Sequence, residues 1–231
     1  DRAGRIPLSF AQQRLWFLEQ LGGVGAAYNI SKRRRLRGPL DRAALVRALD
    51  GVVARHEVLR TTFAEVDGEP EQRIAPVEAA RFHLVEHDLE GRPDAEAELA
   101  RLTAAEARAP FDLERGPLVR GRLIRLAADD HVLLVTMHHI VSDAWSGEVF
   151  FNEFSTLYAA HREGREADLP ALPVQYADYA VWQRRWIEGD VLRKQAEYWT
   201  RTLAGAPALL ELPTDRPRPA EMDHAGAKFG V

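Results

Sequence analysis

Cysteine is absent from this chain of 231 residues. Disulfides, thiolate metal sites and a cysteine nucleophile are thereby excluded, and a reducing, cytoplasmic setting is the expectation. Asp and Glu number 35 against 31 Lys and Arg, a formal charge of −4, so no overall positive field is present to attract nucleic acid. There is no apolar run long enough to cross a bilayer and no signal-peptide pattern, and neither nucleic acid nor membrane is expected as a partner. No internal repeat is visible. The chain also lacks an initiating methionine, running from Asp1 to Val231, and reads as a piece of something longer. What remains, 46% hydrophobic and 29% charged, suits a globular body with a sizeable core.

Periodicity along the chain alternates between helix and strand. SFAQQRLWFLEQL (9–21) has helical spacing with Ser9 as N-cap, and GGVG turns into the strand-like YNISKRRRLRG. Residues 40–59 are amphipathic, capped by Asp41, with Leu45, Leu49, Val52 and Val53 on one side. A hairpin follows with its tight turn at Asp67-Gly68, then a strand at FHLVEHDL and an Ala-rich helix at DAEAELARLTAAEARA. LVRGRLIRLAADDHVLLVTMHH reads as a second hairpin turning near Asp129-Asp130, and helix resumes from Trp145 to His161. Two further helices, broken near Gly189, precede an extended Pro-rich tail.

MHHIVSDAWS (137–146) concentrates the chemistry. Side chains alternate along HVLLVTMHH, so His139 shares a face with Leu133, Val135 and Met137, and His138 shares the other with Val132, Leu134 and Thr136. The two histidines therefore do different work. Both faces are apolar, which predicts a central strand covered on each side, with a partly desolvated, mainly neutral imidazole at its end that can accept a proton. A strand histidine is ordinarily a satisfied core residue. Metal is not expected: adjacent strand residues point apart, and no third nitrogen or sulfur ligand lies nearby. For Asp143 the spacing leaves three roles open: helix N-cap, partner of a buried arginine, or orienter of a histidine.

Five ordered segments, SFAQQRLWFLEQL, RHEVLRTTF (55–63), PFDLERGPLVRGRL (110–123), MHHIVSDAWS and YADYAVWQR (176–184), resemble the condensation domain of non-ribosomal peptide synthetases. The resemblance implies an α/β fold like that of chloramphenicol acetyltransferase, a sandwich lobe whose mixed β-sheet is flanked by helices. It covers the N-terminal lobe only, 1–231, with a core to about 205 and an extended segment, 206–231, leading to an absent C-terminal lobe. It implies amide bond formation between a donor acyl or peptidyl thioester and an acceptor aminoacyl thioester. Each would be delivered on the 4′-phosphopantetheine arm of a carrier domain, beside a neighbouring adenylation domain and with no tightly bound cofactor.

On this resemblance His139 faces the reacting amine, as general base or as orienting group. His138 and Asp143 support the site, Asp143 pointing away from the tunnel to Arg55 or Arg60. Ala144, Trp145, Ser146 and Gly147 run along the substrate channel. Two local departures stand out. Ala144 replaces the family's usual glycine, a change a helical position would tolerate. Lys32 and Arg34 share a strand face with Leu36 where aliphatics are usual, giving either a charged edge strand or a cationic wall for an acidic group. Two rival functions would keep the motif: an acyl-CoA-dependent O-acyltransferase of the same superfamily, and a non-catalytic carrier-docking lobe.

Overall fold

The computed structural model describes residues 4–22, 25–79 and 81–217. Part of the GGVG turn and the end of the Pro-rich tail lie outside them. The described chain divides into two compact units, residues 1–182 and 183–231.

In the first unit the apolar periodicities become elements close to where they were expected. Helix α1 (Phe10–Gln20) starts at Ser9, whose hydroxyl accepts from the Gln12 N–H while the Gln12 side chain accepts from the Ser9 N–H, a reciprocal cap. Helix α2 (Arg42–Arg55) starts at Asp41, whose carboxylate accepts from Ala44 N–H at 2.9 Å. It stops at Arg55, earlier than periodicity suggested, because residues 57–60 tighten into a 3₁₀ turn. A short strand, β1 (Ile6–Pro7), which the pattern did not reveal, joins the hairpin of β3 (Thr61–Val66) and β4 (Glu69–Ile74) in a three-stranded sheet. The hairpin turns at Asp67 and Gly68, both with positive φ (54° and 81°), the conformation a tight two-residue loop demands.

The larger sheet holds β2 (Asn29–Arg37), β5 (His83–Asp88), β6 (Val119–Ala127) and β7 (Asp130–His138) in the order β2-β7-β6-β5. Only the β5–β6 pair is parallel, so the sheet is mixed. As its two apolar faces predicted, β7 lies inside the sheet and is buried from His131 to His138. Leu133, Val135 and Met137 face α2 and α4 (Ala144–Glu163) in the main core. Val132 and Leu134 face Leu99 and Leu102 of α3 (Ala95–Arg108) in a second, smaller one. The two layers hold β7 between helices, and the end of β7 sets the position of the histidines. Close approach of β6 to β7 requires Gly121: a Cβ there would collide with the Leu134 carbonyl oxygen and stand 3.0 Å from the Phe82 ring.

Helix α5 (Tyr176–Trp186) runs across the boundary between the units, which falls after Trp182. In the second, α6 (Gly189–Thr202) buries none of its side chains; Leu192, Trp199 and Leu203 are all more than half exposed. Among the described residues no helix is long and apolar enough to cross a membrane.

Candidate functional site

The last residue of β7 and the first residue after it divide the work as their opposed faces required. His138 is 1% exposed, with its ring 6.0 Å from that of Phe111 and 6.3 Å from that of Tyr28. Its Nδ1 accepts from the Ile140 N–H at 3.1 Å. Burial, and secondarily the neighbouring His139, push its pKa down to about 4, so it is a neutral structural ring.

His139 is exposed and lies just beyond the strand rather than within it. Its backbone N–H continues the sheet by donating to Tyr28 O at 2.8 Å, and its Nδ1–H donates to Ser142 O at 2.7 Å. Residues 138–142 form a small self-bonded turn: Val141 N–H and the Ser142 hydroxyl both donate to His138 O, at 3.0 and 3.1 Å. A ring anchored through Nδ1 to a carbonyl carries its hydrogen there and leaves Nε2 as an acceptor. His139 lines a pocket of about 360 Å³ together with Arg14, Tyr28, Asp143, Ser146 and Tyr176. The Tyr176 phenol lies 3.0 Å from Ser9 Oγ, which joins α5 to the cap of α1 at the pocket wall. Tyr28, Tyr176 and Arg14 were not among the expected site residues, although Tyr176 opens one of the five quoted motifs.

Among the described residues no arginine pairs with Asp143. It is exposed and caps α4, its Oδ1 accepting from Ser146 N–H at 2.8 Å and from the Ser146 hydroxyl at 2.6 Å. Those bonds hold its carboxyl below the ordinary aspartate range. The arginines expected to meet it are engaged elsewhere. Arg55 Nε binds Glu153 Oε1 at 3.0 Å, Glu153 Oε2 holds His56 Nε2 at 2.6 Å, and Arg60 binds Ala75 O and faces Glu57 at 3.6 Å. Of the three roles left open by the sequence, the helix cap is the one present: at the turn from strand into helix, unpaired N–H groups stand within reach of the carboxylate, and the guanidinium groups do not.

The expected channel residues separate. Trp145 is 79% exposed and lines an apolar cavity of about 140 Å³ beneath the start of α4, which Ser146 shares with the His139 pocket. Ala144, helical as the tolerant reading required, and Gly147 line neither. Gly147 is buried under Lys32: a Cβ there would stand 3.0 Å from Lys32 Cε. Lys32 and Arg34 face Glu148 at 3.8 and 3.5 Å, and the Arg34 guanidinium stacks 4.6 Å above the Phe151 ring. The would-be cationic wall is thus part of the packing between β2 and α4. Among the described residues no group of three His, Asp or Glu side chains could hold a metal ion.

A family model for the condensation domain matches residues 2–229. The chain belongs to the condensation-domain family. It is 50% identical, over 100% of its length, to malpibaldin synthetase of Mortierella alpina, of which it covers 4%. Among solved condensation-type structures it matches the X-domain from teicoplanin biosynthesis with a TM-score of 0.84 at 37% identity, covering 95% of this chain and 48% of that one. The first condensation domain of the calcium-dependent antibiotic synthetase, solved with a substrate analogue, matches with a TM-score of 0.77 at 28% identity, over 89% of this chain and 49% of that one. The condensation-domain chain here therefore spans about half the length of the solved structures it matches. Its fold is accordingly α/β of the chloramphenicol acetyltransferase type, a mixed sheet flanked by helices.

Proposed function

We propose that residues 1–231 form the N-terminal lobe of a condensation domain that makes amide bonds between two carrier-bound substrates. The observation that carries this reading is His139: exposed, anchored through Nδ1 to Ser142 O, and lining a pocket. In the reaction, the acceptor's amine nitrogen attacks the donor's thioester carbonyl carbon, the C–S bond breaks, and the amine's surplus proton ends on the departing thiol. The phosphopantetheine arms of the donor and acceptor carrier domains tether both reactants, so they are substrates' handles and not a resident cofactor. A neighbouring adenylation domain would load the acceptor carrier, and the setting would be cytoplasmic.

Nε2, as an acceptor, can take a hydrogen bond from the attacking amine and aim its lone pair at the carbonyl. A positioned base supplies about 10²–10⁴-fold. Alignment of two tethered reactants can reach effective molarities on the order of 10⁵ M or more, so His139 is assigned mainly to positioning. His138 and Asp143 hold the turn and the helix start on either side of it.

The test is reconstitution of the complete domain in its full-length protein with both carriers loaded, following the tethered product by mass spectrometry. His139→Ala should lower the rate by about 10²-fold or more. Carrier binding with no product in the wild type would favour a docking lobe. Turnover of free acyl-CoA with an alcohol would favour an O-acyltransferase.

A further inference from the structure

The cavity beneath Trp145 adjoins the pocket of His139: Val58, Val141 and Ser146 line both. Its remaining lining is apolar apart from His56: Val52, Leu59, Met137, Val149 and Phe150 among others. The cavity is open on one side and, at about 140 Å³, has room for a small apolar group beside the pocket that His139 lines. Its size is near that of an apolar cavity of about 150 Å³ that admits benzene. The walls are fixed in advance. Phe150 and Met137 belong to the main core, and the His56 ring is held by Glu153, itself held by Arg55.

Resting on the function proposed above, we propose that this cavity receives the acceptor amino acid's side chain and selects apolar groups up to about the size of a phenyl ring. Chemistry favours the acceptor over the donor. In an α-amino acid the side chain branches from the carbon that bears the amine, so an amine aimed by His139 Nε2 carries its side chain within reach of the adjoining wall. The donor's side chain lies farther off, beyond the carbonyl under attack. The lining is apolar apart from the His56 ring, already engaged by Glu153, and Ser146, which disfavours charged acceptor side chains against apolar ones.

The experiment uses the full-length protein with one donor carrier and acceptor pantetheine thioesters of Ala, Leu, Phe and Trp. It reads ratios of kcat/KM, which do not depend on the fraction of enzyme that is folded. Val149→Phe, which fills the cavity, should lower the Leu:Ala ratio about tenfold or more. Val149→Ala, which enlarges it, should raise the Trp:Leu ratio by a similar factor. In a second arm the donor is varied with the acceptor fixed, and its ratios should stay constant. Acceptor ratios that neither variant moves, or donor ratios that move in their place, overturn this assignment while leaving amide formation intact. A wild type that forms no amide with any acceptor overturns the proposed function and the pocket with it.

Discussion

The Nδ1 of His139 lies 2.7 Å from the carbonyl oxygen of Ser142, three residues on in the same turn. A carbonyl only accepts, so the neutral ring must keep its hydrogen on Nδ1, the reverse of the tautomer preferred by free histidine. Nitrogen-15 NMR of the labelled neutral ring should show a protonated Nδ1 and a bare Nε2. Ser142→Ala should leave that pattern unchanged, because the acceptor belongs to the backbone. A protonated Nε2 would remove the basis for an amine-facing acceptor.

Asp143 acts on the fold through one helix end. Asp143→Ala should cost about 1 kcal/mol, within the 0.5–2 kcal/mol range for lost N-caps, and Asp143→Asn should recover most of it. Urea midpoints of the three proteins decide this. A loss of 3 kcal/mol or more for the alanine variant, the scale of a broken buried ion pair, would restore an arginine partner for Asp143.

His138 makes stability depend on pH. Its pKa falls from about 6.5 in the unfolded chain to about 4 in the fold, so between those values the unfolded chain binds the extra proton. Stability contributed by the neutral ring is complete above about pH 6.5 and is lost as pH falls toward 4, by about 3 kcal/mol in all. In His138→Asn an amide oxygen can still accept from Ile140 N–H, yet nothing titrates there. Urea midpoints from pH 7 to pH 4 should fall less steeply in the variant. Parallel profiles would mean that the wild-type ring is already solvated.

Glu106 on α3 binds Arg120 and Arg122 of β6, each at 2.7 Å, with its own side chain 4% exposed. Burial opposes its ionisation, but the bonds from the two arginines outweigh it and draw its pKa down. Glu106→Gln removes the one carboxylate between the two guanidinium groups, although Arg120 keeps Pro110 O and Arg122 keeps His87 Nε2, and should cost about 3 kcal/mol. A loss under about 1 kcal/mol by chemical denaturation would show that the arginines rearrange to water at little cost.

Much of this was legible in residue order because local rules and packing agree here. Ser9 and Asp41 announced their helices, Asp67-Gly68 its hairpin, and the unbroken apolar run before His138 its central strand. The fate of Asp143 was not legible, since a carboxylate near a helix start and an arginine on another element fit one sequence pattern equally well. Only coordinates reveal that Glu153, an unremarked position on α4, already occupies Arg55 and His56. The lining shared by Val58 and Val141 has no sequence signal either, because it brings the 3₁₀ turn after α2 to the turn after β7.

Helix α6 differs from the other helices in that none of its described side chains is buried. Fourteen residues is near the length at which an isolated helix is marginal in water, and the pairs Arg193–Asp190 and Arg193–Glu197 add only tenths of a kcal/mol each. Its backbone amides should therefore trade hydrogen for deuterium almost as fast as an unfolded peptide in this chain alone, while those of α4, seated on Phe150 and Phe154, wait for the whole core to open.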